Sequence, residues 1–513
     1  QTTRVISVYA ASTVGWTATN ALRADLAAHC LRHDMGFHKG RTPGELIERV
    51  DGDVLTLSRF FSQFVVVILG SGLLMVGVVV ALFLVHPLAG IGCLIFTICA
   101  LGIMLGLRNI AVPYYASYRQ QAATFYGYAA EKLLGREDIK ANGARSFFMR
   151  RLYEINQKWM RVWQQARLAS TTLWASSTAT FAAGSIAALA IGAFLFNQQL
   201  ITIGIVFLIF NYFSQLARPI QQIREEVELL QQADASISRV RELFSEESDI
   251  DEGGDKPLRG TAFTVTFDGV SFHYDERLPD GAPDWVLRDM NFTLEAVHTL
   301  GLLGRTGSGK STLARLLLRM YDPQRGAILL NGVPIHETPL GGLRQRIGFV
   351  TQDVQIFQAT VRDNVTFFDP AVSDAALHHL FEQLGLQGWL ARLPQGLETV
   401  LGAEGGSLSA GEAQLLAVAR VFLKDPGLVI LDEASSRLDP ATDQLMTQAM
   451  GEQFRHRTGS IIAHRLATVA QADQIMLLEN GRILEHAPRQ TLTAAADSRY
   501  ARLLQTGATE SFT

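Results

Sequence analysis

The stretch Leu300-Gly301-Leu302-Leu303-Gly304-Arg305-Thr306-Gly307-Ser308-Gly309-Lys310-Ser311 decides how the second half of this chain folds. A short apolar run enters G-x-x-x-x-G-K-S directly, and residues 312–320 continue as a helix-forming run. Strand, glycine loop, helix is the context a phosphate-binding loop requires. The glycines let backbone N–H groups curl around phosphate oxygens, so the expected contact set runs from Gly304 through Arg305, Thr306, Gly307, Ser308 and Gly309 to Thr312. Lys310 counters the charge of the β- and γ-phosphates, and the Ser311 hydroxyl is a ligand for Mg²⁺.

Downstream, a second apolar strand, Leu428-Val429-Ile430-Leu431, ends in Asp432-Glu433. A carboxylate at a strand tip can hold the Mg²⁺ shell, and the next can orient or deprotonate an attacking water. Further strands are expected at residues 264–267 and 293–294. Together these predict an α/β P-loop nucleotide cassette over residues 261–508, preceded by a linker at 246–260. The acidic, glycine-containing run S-E-E-S-D-I-D-E-G-G-D-K-P at 245–257 reads as solvated chain.

Residues 1–245 have a different character. They hold 22 Lys+Arg against 15 Asp+Glu, a net +7, whereas the remainder holds 23 against 34, a net −11. The acidic half carries no basic stripe, which argues against nucleic-acid binding. Between Arg59 and Arg108 lie 48 residues without a charged side chain, and between Arg167 and Arg218 another 50. A crossing needs about 20 apolar residues, so each stretch has room for two helices and a turn. His86-Pro87 and Asn197-Gln198-Gln199 supply the turns, which predicts helices near 62–85, 88–107, 170–195 and 200–217.

Residues 5–22 read as a fifth, weaker crossing, rich in Ser and Thr. The loops between Arg23 and Arg59 and between Arg108 and Arg167 are basic, the latter with eleven Lys/Arg against four acids. The positive-inside rule places both in the cytoplasm. Five crossings with a cytoplasmic C-terminus put Gln1 outside, so a further crossing is expected ahead of it. The fold class is thus an all-α transmembrane domain, residues 1–245, followed by the cassette. The cytoplasmic excursions should run as helical stalks that turn near residues 34–43 and 135–143 and dock on the cassette close to Gln352.

Leu408-Ser409-Ala410-Gly411-Glu412 resembles the L-S-G-G-Q signature of ATP-binding-cassette proteins. Gln352 is similar to that family's Q-loop glutamine, Ser436-Arg437-Leu438-Asp439 looks like its D-loop, and His464 in Ala463-His464-Arg465-Leu466 like its switch histidine. Tyr274, in Val270-Ser271-Phe272-His273-Tyr274, stands where the family places an adenine-stacking aromatic. The membrane half is similar to exporters of the type IV fold. The resemblance implies ATP and Mg²⁺ as ligands, with Ser311, Gln352 and Asp432 around the metal and Lys310, Gln352, Glu433 and His464 in catalysis. It also implies a head-to-tail sandwich in which Ser409, Gly411 and Asp439 approach ATP held by a second half-transporter. One copy of each motif means that a dimer, homomeric or heteromeric, is required.

Three departures from the pattern stand out: Ala410 for a glycine, Glu412 for a glutamine, and T-V-L-G-A-E-G-G at 399–406 without an acid after its threonine. The implied activity is ATP-driven export by a multi-pass integral membrane protein, expected in a bacterial inner (plasma) membrane with the ATPase domain in the cytoplasm. The nearly uncharged crossings point to a hydrophobic or amphipathic cargo such as a lipid, drug or peptide. An ATP-gated channel or a regulatory membrane ATPase is the alternative. Cys30, Cys93 and Cys99 form neither a disulfide framework nor a metal pattern. The Ser/Thr run at 170–180 reads as close helix packing, with a polar cavity face as the other option.

Overall fold

The computed structural model describes residues 2–274, 283–402, 408–432, 451, 454–463, 466–495 and 497–505. They form two units: residues up to 31 together with 42–246, and residues 32–41 together with those from 247 onward. In chain order the first ten helices are α1 (Thr2–Arg32), α2 (Met35–Lys39), α3 (Pro43–Ile47), α4 (Val54–Arg59), α5 (Val65–Val85), α6 (Pro87–Leu134), α7 (Arg136–Ala141), α8 (Arg145–Asn197), α9 (Ile203–Gln215) and α10 (Ala217–Ser245).

The first unit is all helix. Between α5 and α6, His86 adopts an extended conformation and its ring accepts the Leu88 N–H, while Pro87 takes the first helical position. Proline suits that position because its missing N–H would have no partner there anyway. Among the described residues, four helical stretches are long and apolar enough to cross a membrane: Pro43–Val85, Pro87–Gly106, Arg145–Asn197 and Ile203–Ser245. The segment read as a fifth crossing lies in α1 and is helical, but is not one of those four. Its Ser/Thr content lowers its hydropathy, and Thr13, Thr17 and Thr19 return their hydroxyls to carbonyls one turn back.

Helices α6 and α8, of 48 and 53 residues, extend roughly 72 and 80 Å at 1.5 Å per residue. That is more than twice the hydrocarbon thickness of about 30 Å, so both continue as stalks, joined through α7. Small residues bring the helices together. A Cβ on Gly184 would strike Phe96, one on Gly92 would strike Ile191, and one on Gly192 would strike Val206. In the Ser/Thr run, Thr171, Thr172, Thr178 and Thr180 bond back to carbonyls of their own helix, and Ser177 is buried. Asp53, buried in a π-helical turn, accepts hydrogen bonds from Ser236 Oγ at 2.8 Å and Arg239 Nε at 2.9 Å, tying α10 to the entry of α4.

The second unit is α/β. An antiparallel sheet has the order β2-β1-β4-β5, with β1 (Val265–Phe272), β2 (Leu287–Leu294), β4 (Arg325–Leu330) and β5 (Val333–Pro334). The second sheet runs β10-β9-β3-β8-β7-β6, from β3 (Thr299–Gly304), β6 (Ile347–Val350), β7 (Leu428–Asp432), β8 (Thr458–Ile462), β9 (Gln474–Glu479) and β10 (Arg482–Pro488). All its pairings are parallel except β9 with β10. Every residue of β3, β7 and β8 is buried, as central parallel strands require.

The run read as solvated linker is instead strapped to the cassette. Gly254 N–H and Lys256 N–H donate to His336 O and Glu337 O, and Leu340 N–H donates to Glu252 O. Gly253 and Gly254 lie so close to the carbonyls of Thr338 and Glu337 that a Cβ on either would collide with them. The paired glycines are there for close backbone approach rather than for flexibility. Asp251 pairs with Arg319 at 2.5 Å, and Arg319 is 1% exposed.

Candidate nucleotide site

Strand β3 delivers Gly304 to the carboxyl edge of the parallel sheet, and α11 (Lys310–Leu317) departs from it. Between them Gly304, Gly307 and Gly309 have φ of +155°, +82° and +103°. At Gly307 there is open space for a Cβ, so its glycine is demanded by the left-handed backbone alone. At Gly309 a Cβ would also strike Leu287. Inside the loop Lys310 is buried, and its ammonium donates to Gly304 O at 2.7 Å and Arg305 O at 3.0 Å. An arriving phosphate must join or replace those carbonyls. The buried Ser308 hydroxyl has no hydrogen-bond partner among the described residues, an orphan donor inside an anion cradle.

The sheet places the other oxygen donors along the same edge. Strand β8 separates β3 from β7, so Asp432, buried at the tip of β7, lies two strand spacings, roughly 10 Å, from the end of β3. Gln352 follows the next strand, β6, by two residues and is exposed. Ligands of open parallel sheets bind beyond these carboxyl ends. Ser311 hydroxyl, Asp432 carboxylate and Gln352 amide are hard oxygen donors, and that donor set fits Mg²⁺. Glu433, Asp439 and His464 lie outside the described residues.

Tyr274 follows β1 and reaches α11: its hydroxyl bonds Thr312 Oγ1 at 3.0 Å and accepts from Arg315 at 3.1 Å. Its ring stands edge-on to Phe272 and Tyr321. Sequence reasoning missed what else meets it. The Lys39 ammonium at the end of α2 lies 5.0 Å from the Tyr274 ring centroid. The first stalk turn therefore meets the cassette at Tyr274, which the expectation of docking close to Gln352 did not include. Asp34 fixes it there: Oδ1 accepts from Phe37 N–H at 3.0 Å, and Oδ2 from Ser248 Oγ at 3.0 Å and Asp249 N–H at 2.8 Å.

Ser409 is the N-cap of α16 (Ala410–Phe422), in a reciprocal capping box. Its hydroxyl accepts Glu412 N–H, and Glu412 Oε2 accepts Ser409 N–H at 2.8 Å. The other carboxylate oxygen, Oε1, accepts Trp389 Nε1–H at 3.1 Å. The acid at 412 is thus engaged with two donors at a helix start, where a negative charge is favourable. Ala410 is the first helical residue and does not have positive φ, so no glycine is demanded there.

Arg420 of the same helix is buried, with no carboxylate partner among the described residues. It donates to Asn364 O at 2.6 Å, Gln355 O at 2.7 Å and Asn364 Oδ1 at 2.8 Å, with its guanidinium over Phe367. Burial pushes it down to about 10, which leaves it charged at any working pH. It binds the segment after Gln352 to the signature helix. The signal was available, since Arg420 is the only charge between 413 and 423.

Comparisons agree with this arrangement. The family described as "ABC transporter transmembrane region" matches residues 2–220, and "ABC transporter" matches residues 287–436. The chain is 30% identical over 477 residues to an uncharacterized ABC transporter ATP-binding protein, YknV, of Bacillus subtilis, covering 92% of this chain and 78% of that protein. It is 30% identical over 509 residues to an ATP-dependent lipid A-core flippase of Chromohalobacter salexigens, covering 98% and 85%. A solved bacterial Atm1-family ABC exporter with ATP bound matches with a TM-score of 0.81 at 26% identity, over 97% of this chain and 86% of that one.

Proposed function

This chain belongs to the ATP-binding-cassette (ABC) transporter family, and from that membership we propose how its own residues couple ATP hydrolysis to export. It is a multi-pass membrane protein with the fold of a half-transporter, an ATP-driven exporter that works as a dimer. The observation that carries the residue-level reading is the single sheet edge on which the glycine loop, Asp432 and Gln352 are gathered.

In this reading the N–H groups of residues 304–312 and the Lys310 ammonium hold the phosphates of ATP. Ser311, Gln352 and Asp432 would hold Mg²⁺, which supplies charge neutralisation to the phosphate oxygens when bound. Glu433 orients the attacking water and accepts its proton, while His464 stabilises the γ-phosphate. Water oxygen bonds to the γ-phosphorus as the bond to the bridging oxygen breaks, giving ADP and inorganic phosphate. Ser409, Gly411 and Asp439 complete the site of the partner subunit, because a signature motif at a helix N-terminus suits an anion. Tyr274 stacks on adenine.

The cassette side is cytoplasmic by the positive-inside reading, and the membrane is a bacterial inner membrane. The cargo is hydrophobic or amphipathic, a class in keeping with the uncharged crossings. The test is Glu433→Gln in proteoliposomes. ATP binding is expected to persist while turnover falls by about 10²–10⁴-fold, the usual contribution of a general base. Uphill, ATP-dependent movement of a fluorescent phospholipid analogue should be lost with it. Near-normal hydrolysis would remove Glu433 from its role. ATP-dependent downhill flux without accumulation would favour a gated channel.

A further inference from the structure

The lysine over Tyr274 comes from the far end of the chain. Lys39 ends α2, a segment that folds with the cassette although it lies between membrane-domain helices in sequence. The start of α2 is anchored through Asp34 to Ser248 and Asp249, and those two residues begin the strap that runs to Arg319 and Glu337. Within the helix, Phe37 stacks on His33 at 4.3 Å and carries the Arg41 guanidinium at 4.4 Å. So Lys39 projects from a fixed base, not from a loose loop.

Tyr274 is held just as firmly at its tip and edges, by Thr312, Arg315, Phe272 and Tyr321. The ring also borders a cavity of about 500 Å³, whose polar walls include Asp34, Lys39, His273, Asp322 and Gln324. Among the described residues, Lys39 is the cation that lies over this ring. A cation over an aromatic face is attracted by the ring quadrupole. It fixes the plane of the ring and draws its electron density toward itself.

We infer that Lys39 is a positioning residue for base recognition: its ammonium sets the plane and polarisation of Tyr274, so that preference for adenine depends on residues 32–41 as well as on the cassette proper. This rests on the reading that Tyr274 stacks on the base. A change at this turn is then felt by the nucleotide, and an occupied site is felt by the turn.

The experiment uses the full-length dimer in lipid nanodiscs with fluorescent ATP and GTP analogues. Lys39→Met keeps length and removes charge, Lys39→Arg keeps the cation, and Tyr274→Ala removes the ring. Lys39→Met is expected to weaken ATP binding about two- to fivefold, the range of an ordinary cation–π contact, and to narrow the ATP-over-GTP preference. Lys39→Arg should restore both. Adding Lys39→Met to Tyr274→Ala should cost nothing further, the coupling that separates positioning from general destabilisation. If Lys39→Met leaves affinity and preference unchanged, or tightens binding, while Tyr274→Ala weakens both, the inference fails and the base-stacking reading stands. If Tyr274→Ala itself changes neither, the stacking reading fails and takes this inference with it.

Discussion

Glu412 shows how a single departure from a motif is explained by its neighbours. A glutamine there has one acceptor oxygen, whereas the carboxylate serves both Ser409 N–H and the indole N–H of Trp389, a side chain 2% exposed. Glu412→Gln must leave one donor short, at a cost of about 1 kcal/mol, and Glu412→Ala leaves both short at about 2 kcal/mol. Thermal melts of the full-length protein should rank wild type above Gln above Ala, with ATPase per folded molecule changed less than the melting temperature implies. A higher melting temperature for Gln would show that the charge itself is a burden. At this scale the places of the glycine loop, Asp432, Gln352 and Ser409 in the fold were legible in the sequence, because each follows a strand or starts a helix. Asp34, Lys39 and Arg420 were hidden because their partners lie 214, 235 and 56 residues away in sequence, beyond any local pattern.

Elements repeat the lesson with backbone in place of side chains. Helix limits at His86-Pro87 and Asn197 were legible, since proline, an extended cap and a polar turn interrupt an apolar run. The strap at 247–256 was not, because acidic and glycine-rich composition describes a solvated chain and a tightly paired one equally well. Its junction with α2 should respond to pH. Burial pushes the Asp34 carboxyl up, but N–H groups of Phe37 and Asp249 and the Ser248 hydroxyl outweigh this and hold it below the ordinary 3.8. A carboxylate depressed in the folded state contributes stability above its unfolded value, and that contribution is lost as pH falls through the lower folded value. Wild type should therefore exceed Asp34→Asn in melting temperature at pH 5–7, and the gap should close below about pH 4. A gap independent of pH would mean that shape, not charge, anchors the turn.

For the whole molecule, the charge split and the uncharged runs were enough to separate a membrane domain from a cassette. They could not say that ten residues from the first half fold with the second. The second stalk turn is a further candidate for carrying force. We expect α7 to dock beside Gln352, on its own or the partner's cassette, where Phe357, Phe367 and Phe368 are exposed. With Cys30, Cys93 and Cys99 replaced, cysteines at Arg136 and Asp353 should crosslink in at least one nucleotide state, and disrupting α7 should abolish transport while sparing basal ATPase. No crosslink in any state, or transport that survives, would rule out this route.

The borrowed segment also sets an order of events during synthesis. Lys39 is made 235 residues before Tyr274 and 282 before Tyr321. At about 5–20 residues per second the ribosome needs roughly 10 to 50 s to bring Tyr274 out after Lys39. During that interval Lys39 has no Tyr274 ring to meet, and Asp34 lacks Ser248 and Asp249. Maturation of the cassette must then reach back to a stretch already flanked by inserted helices. A protease cutting at residue 246 would release an ATPase without its own N-terminal piece, which is a truncated protein and not a free-standing domain.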